Sequence, residues 1–286
     1  MTPTLVQSHL PHAGASPRVD LCARARDWAE IQERMLVPLY EAVYERLEVG
    51  GGTRLLGLGC GSGLALLMAV SRGAAVTGVD PAQPERLALA RGRLLTDGAQ
   101  DARARATTRL VAGGPADAAD PDLPAYNLVT AMQPIGCTAG DSEGLSDLLE
   151  AAAPLARRGA PVVLAGWGPP ERCATSSVLR VATKLAEPLR STSSWRPALR
   201  DDLEKVAHRA GLKPDGSGRV ACPFGYADME SAVRGLLSTG LFDAAVGATD
   251  QVQVDKELTE ALHPHRRGDG TVWMPNVFRY LIARTP

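Results

Sequence analysis

The stretch from Thr53 to Asp80, TRLLGLGCGSGLALLMAVSRGAAVTGVD, constrains the fold more than any other part of the chain. An apolar run (Leu55, Leu56, Leu58) ends in three alternating glycines, Gly59, Gly61 and Gly63. A helix-length apolar segment, Leu64 to Val70, follows, and a second apolar run, Ala75 to Val79, stops on one carboxylate, Asp80. Strand, glycine turn, helix, strand and acid make one βαβ unit, with its ligand crevice at the strand ends. Glycines suit that turn because the backbone bends sharply and approaches a ligand, which a Cβ would obstruct. Asp80, at the tip of the second strand, is placed to accept hydrogen bonds from a ribose diol.

A dinucleotide fingerprint counted from Gly59 needs a small residue where Leu64 stands, and the Gly-Lys-Ser/Thr of a phosphate-binding loop is absent. With neither pyrophosphate signature intact, a nucleoside ligand without phosphates fits better. The segment Gly59-Cys60-Gly61-Ser62-Gly63, with Asp80 beyond it, resembles the first motif of the class I S-adenosylmethionine-dependent methyltransferases. The resemblance implies S-adenosylmethionine as cofactor. It also implies an α/β, Rossmann-like seven-stranded sheet with the last strand antiparallel, an N-terminal helical segment and a helical lid inserted late in the chain. Cofactor contacts are then expected at Gly59, Cys60, Gly61, Gly63, Asp80 and Pro81, and further along at Gly114, Pro115, Ala131 and Met132. The bland alternative is a nucleotide-like turn that binds nothing.

At 286 residues the chain is near the upper size for one core, so a single domain with a cap or insertion is the default. A net charge of −1 with interspersed signs leaves no footprint for nucleic acid or an anionic membrane. The five cysteines are scattered and form no C-x-x-C, which points to a reducing cytosol and away from a disulfide framework or zinc site. Residues 1–18 lack a long apolar core and read as a mobile tail, not a signal peptide. No apolar stretch approaches a membrane span, so a soluble, cytoplasmic protein is expected. The oligomeric state stays open, a homodimer among the options.

Residues 19–50 are expected to form a helical cover, with Trp28, Ile31 and Met35 on one stripe and Leu39, Ala42, Val43 and Leu47 on another. Pro38 divides or kinks it. The segment also resembles the N-terminal helix of small-molecule methyltransferases of the ubiquinone- and menaquinone-biosynthesis type. There a D-W-x-x-x-Q-x-x-M pattern helps cover the cofactor, here Asp27, Trp28, Gln32 and Met35. Trp28 either lines the cofactor site or packs in the core.

Residues 51–286 are expected to form the cofactor-binding domain, with lid insertions around 169–200 and 223–270. The expected strands are Arg109 to Ala112, Asn127 to Ala131, Ala160 to Gly168, Lys213 to Ala221 and a last one around Asn276 to Ala283. Helices are expected after Pro84, over Asp141 to Gly159 and from Val254 to Leu262. The ending N-x-F-R-Y-L-x-A (Asn276 to Ala283) resembles the strand that closes the sheet in that family. Met132, Gln133 and Pro134 are expected to leave the carboxyl end of the fourth strand, where reacting groups gather.

Methyl transfer from a sulfonium needs alignment more than a catalytic constellation. None is visible: no nucleophile elbow, H-E-x-x-H or EF-hand loop. Gln133 either orients a substrate polar atom or is a solvated loop amide. His263 and His265 either act as base or orienter, or decorate a solvated helix end; His208 suits a helix terminus. Aromatics are only 4% of the chain, so Trp195, Phe224, Tyr226, Phe242 and Trp273 become candidates to wall an apolar pocket, with ordinary packing as the alternative.

Two departures from the resembling pattern matter. Gly57 stands where an acid usually follows the leading apolar pair of the first strand, and Gly114 stands where an acid commonly meets the adenine amino group. Asp117 would have to substitute for the second. Two functions therefore remain: a methyltransferase acting on a small, largely apolar metabolite, or a protein of that fold that no longer transfers methyl and steers another reaction, such as a cyclisation, or binds a partner.

Overall fold

The computed structural model describes residues 20–95, 107–136, 141–186 and 199–286. The tail at 1–18, Trp195, the rest of 187–198 in the first expected insertion, and one of the five cysteines, Cys137, lie outside the described residues.

The cover is not two plain helices. It opens with α1 (Leu21–Asp27), continues as a π turn (Trp28–Gln32) and a 3₁₀ turn (Glu33–Leu36), and ends in α2 (Val37–Arg46). Asp20 caps α1 by accepting from the Ala23 N–H, and Pro38 sits in the first turn of α2, where its missing N–H costs nothing. In the π turn the Glu33 N–H reaches back to the carbonyl of Trp28, one residue further than in an α-helix. The extra residue shifts the helical phase. Trp28, Gln32, Glu33 and Leu36 are buried, while Ile31 and Met35, expected to share the stripe of Trp28, are only half-buried.

The main sheet has seven strands in the order β3-β2-β1-β4-β5-β9-β6. These are β1 (Arg54–Leu58), β2 (Ala75–Val79), β3 (Thr108–Val111), β4 (Leu128–Ile135), β5 (Pro161–Trp167), β6 (Lys213–Ala221) and β9 (Val277–Arg284). The first five pair in parallel, and β9 runs antiparallel to both β5 and β6. Helices α3 (Leu64–Ser71), α4 (Pro84–Leu94) and α5 (Asp141–Ala152) follow β1, β2 and β4 in the chain. Both faces are therefore covered, which explains why the strands read as continuous apolar runs. Leu55 faces the core shared with α2, α3 and the lid, and its neighbour Leu56 faces the core shared with α5. Chain order reverses between β1 and β4, so the crevice at their carboxyl ends is the topological switch point.

Strand β4 runs on to Ile135, so Met132, Gln133 and Pro134 belong to it instead of leaving it. Its register with β5 shifts between Ala131 and Ile135. Pro134 has no N–H for the ladder, and of the three Met132 and Gln133 line the crevice.

After β5 the chain adds α6 (Thr175–Ala186), then α7 (Asp202–Arg209), which packs on the main sheet, and after β6 a two-stranded sheet and three helices. The small sheet pairs β7 (Phe224–Tyr226) with β8 (Val272–Met274), two strands the periodicity did not mark. The helices are α8 (Met229–Ser238), α9 (Asp243–Ala248) and α10 (Gln251–Leu262). Helices α9 and α10 pack on α6, and α8 packs on α1 and the π turn. Ion pairs Arg234–Asp27 and Arg24–Asp243 (2.8 Å) join these helices to α1.

Three of the scattered aromatics went into the packing. Phe224, Tyr226 and Phe242 are buried, Phe224 meeting Trp167 edge-on and stacking on Phe278. Trp273 is exposed, with the Arg267 guanidinium 4.6 Å above its ring. No helix among the described residues is long and apolar enough to cross a membrane.

Candidate functional site

The turn after β1 holds Gly59, Gly61 and Gly63 at φ of 60°, 55° and 80°, a conformation that costs a residue with a Cβ about 1–2 kcal/mol. Gly63 has a second reason to be glycine: an added Cβ would stand 2.9 Å from that of Ala90 on α4. Above Gly61 the position of a Cβ faces Glu33 Oε1 and Trp28 Nε1, each at 3.5 Å. The cover therefore roofs the glycine turn.

Asp80 organises the turn from behind. Its Oδ2 accepts from the Gly61 N–H at 3.0 Å, and its Oδ1 accepts from the Ala82 and Gln83 N–H groups, both at 3.1 Å. A carboxylate offers about four acceptor positions, so one remains for a ligand hydroxyl. Pro81 beside it is exposed.

A narrow cleft runs between turn and cover, lined by Trp28, Glu33, Tyr40, Leu66, Met132 and Gln133 among others. Its free volume is about 30 Å³, room for a water or two. Met132 and Ala131 are buried, and Gln133 is exposed at the rim, its Oε1 3.9 Å from where Gly59 would carry a Cβ. Cys60 also lines the cleft. Burial, helped by the Asp80 charge, pushes its thiol up to about 12, so it is neutral and a poor nucleophile near neutrality.

The cover brings in polar groups that periodicity hid. Glu33 is 3% exposed, and its Oε2 accepts from Arg93 Nη1 at 2.9 Å and, at very short range, from the Ser62 hydroxyl. Burial nevertheless holds its carboxyl above the usual range. Arg93 also donates to the Ala29 carbonyl at 2.9 Å, which pins the π turn to the glycine turn. Trp28 is buried under the Arg86 guanidinium, 4.1 Å from its ring, and its indole N–H has no hydrogen-bond partner. Arg86 reaches the Ser238 carbonyl at 2.6 Å, and burial lowers its pKa to about 10. Tyr40 is buried against the cleft, and burial holds its hydroxyl neutral.

Other expected residues sit apart. The Gly114 N–H donates to Asp117 Oδ2 at 2.9 Å, so Asp117 caps the short turn that begins at buried Pro115. At Gly57 a Cβ would come within 2.9 Å of Leu66 Cδ2, so a leucine side chain takes the space a carboxylate would need. His263 is exposed and His265 half-buried in a 3₁₀ turn after α10, and neither lines the cleft. Burial lowers the pKa of His265. His208 is exposed in the last turn of α7. Among the described residues no cluster of three or more His, Cys, Asp or Glu is placed to hold a metal.

No protein-family profile matches the chain, and no curated protein does. Solved structures do match. A protein of Bacillus halodurans C-125, described as a proposed methyltransferase, superposes with a TM-score of 0.52 at 16% identity, over 86% of this chain and 98% of its own. YjhP of E. coli superposes with a TM-score of 0.51 at 19% identity, over 92% and 99%. Together with the strand order, these establish an α/β Rossmann-like fold, shared with both proteins.

Proposed function

We propose that the protein is an S-adenosylmethionine-dependent methyltransferase acting at O, N or C on a small, largely apolar metabolite, in specialised metabolism within the cytoplasm. One observation carries this reading. Three left-handed glycines stand at the switch point, and the middle one, Gly61, is tied to the Asp80 carboxylate and roofed by an indole N–H that lacks an acceptor. The residues fit such a cofactor, because Gly61 leaves the room a Cβ would take and Trp28 Nε1 is a buried donor aimed there.

When bound, the cofactor supplies an electrophilic sulfonium methyl group. Gly59, Gly61 and Gly63 bring backbone close to it, and Asp80 has an acceptor position left for a ribose hydroxyl. Leu36, Leu58, Leu66 and Met132 give the cleft apolar walls that exclude water. Gln133 at the rim and the neutral Tyr40 hydroxyl orient a polar atom of the acceptor, and alignment of this kind supplies most of the rate. A net charge of −1 supports a small acceptor over a nucleic acid.

A second reading, the same fold without methyl transfer, is supported by Gly57, where Leu66 fills the acid's place, and by Asp117, which serves Gly114. Calorimetric titration with S-adenosylmethionine and S-adenosylhomocysteine separates the two. Micromolar binding that Asp80→Asn weakens is the expected result. Absence of binding at millimolar ligand refutes methyl transfer and leaves the second reading.

A further inference from the structure

Strand β1 carries no carboxylate beside the glycine turn; at Gly57 the Leu66 side chain is packed there instead, its Cδ2 2.9 Å from where a Cβ would stand. A buried carboxylate reaches the same turn from the opposite side. Glu33 Oε2 is held by Arg93 and Ser62, while Oε1 faces the turn, 3.5 Å from the Cβ position of Gly61. At the same distance from that point stands Trp28 Nε1, a buried donor with no acceptor.

A carboxylate and an unpartnered N–H converging on one glycine complement a zwitterion, the cation going to the acid and the anion to the donor. Arg93 cannot roam to neutralise Glu33 differently, because the Ala29 and Ser62 carbonyls hold it at 2.9 and 3.0 Å. We propose that Glu33 binds the ammonium and Trp28 Nε1 the carboxylate of the amino-acid end of S-adenosylmethionine, the cover supplying the acid that β1 lacks. This rests on the cofactor reading above. The residue that sets affinity for the amino-acid end is then on a helix of the cover, not on the sheet.

The test is a calorimetric cycle on the full chain with three ligands: S-adenosylhomocysteine, its analogue lacking the amino group, and methylthioadenosine, which lacks the whole amino-acid end. Wild type should bind S-adenosylhomocysteine at least about tenfold more tightly than the deaminated analogue, as close charge pairs in a desolvated site do. Glu33→Gln should erase that preference and leave methylthioadenosine affinity unchanged. Trp28→Phe, which keeps the ring and removes the donor, should weaken S-adenosylhomocysteine and spare methylthioadenosine. Equal affinity of wild type for the first two ligands overturns the proposal, and needs no variant to fold. Equal ligand preference in wild type and Glu33→Gln overturns it as well. Failure of wild type to bind either S-adenosylhomocysteine or methylthioadenosine refutes instead the cofactor reading beneath it.

Discussion

Gly63→Ala and Gly159→Ala make a matched pair that isolates what the glycine turn demands. Both glycines hold positive φ, 80° and 72°, so alanine at either adds the same left-handed strain of about 1–2 kcal/mol. Their surroundings differ. Nothing lies within 4 Å of a Cβ on Gly159, whereas on Gly63 it would meet Ala90 Cβ at 2.9 Å, Ala90 Cα at 3.2 Å and Leu94 Cδ1 at 3.2 Å. Ala90 Cα is backbone of α4 and cannot rotate away, so either α3 or α4 must move. Such overpacking costs about 1–3 kcal/mol, which puts Gly63→Ala at about 2–5 kcal/mol in all. For a chain of this size roughly 2 °C of Tm follows each kcal/mol, so Gly159→Ala should lose about 2–4 °C and Gly63→Ala about 4–10 °C. Scanning calorimetry of both variants beside wild type reads the difference directly. Equal melting points would refute the claim that α4 presses on the turn, and with it the packing reason for a glycine there.

Three other outcomes are expected. Asp80→Ala leaves the Gly61, Ala82 and Gln83 N–H groups without their acceptor and should cost about 2–3 kcal/mol, against about 1 kcal/mol for Asp80→Asn, which keeps a carbonyl. Urea midpoints that do not separate the two variants would show that the carboxylate does not hold the turn. The folded pKa of Glu33 lies above its unfolded 4.5, so the stabilisation it gives by binding a proton is complete below about 4.5 and is lost as pH rises through the folded value. Glu33→Gln has no such loss, so the melting-point gap should move in the variant's favour as pH rises above about 4.5; a gap that stays constant counts against the burial argument. Cys60, pushed up to about 12, should resist iodoacetamide at about pH 8 while exposed Cys22 is labelled, and peptide mass mapping that finds both modified at one rate would contradict it.

The βαβ unit was legible because two local signals agreed: apolar runs of strand length, and glycines where φ is positive. Asp80 followed from its place at the end of β2, although its present duty, three backbone N–H groups, shows only in three dimensions. Glu33 was not legible. A period of 3.6 from Trp28 points inward to Ile31 and Met35, but the π turn inserts one residue and brings Gln32 and Glu33 in instead. Gln32 is satisfied by the Tyr226 hydroxyl at 2.9 Å, a partner 194 residues away that no local pattern can announce. Tyr40 was equally hidden, being a buried ring on a helix face that Leu39 and Val43 had already explained. The same holds for Pro134, which reads as a strand terminator but marks an irregularity inside β4.

Moving the acid from β1 to the cover changes how the site is assembled. A carboxylate on a central strand would be present whatever the helices did, whereas Glu33 stands at the turn only when the π segment is docked. Docking is secured by Arg93 through Ala29 and Ser62, by Arg86 over Trp28, and by the Arg234–Asp27 and Arg24–Asp243 pairs to α8 and α9. A ligand held by Glu33 and Trp28 therefore binds the docked cover alone. Binding and docking are then one linked equilibrium. The apparent affinity is the intrinsic one reduced by the fraction of molecules whose cover is docked. The exposed pairs Arg234–Asp27 and Arg24–Asp243, each worth no more than about 1 kcal/mol, are well suited to tune that fraction without touching the ligand.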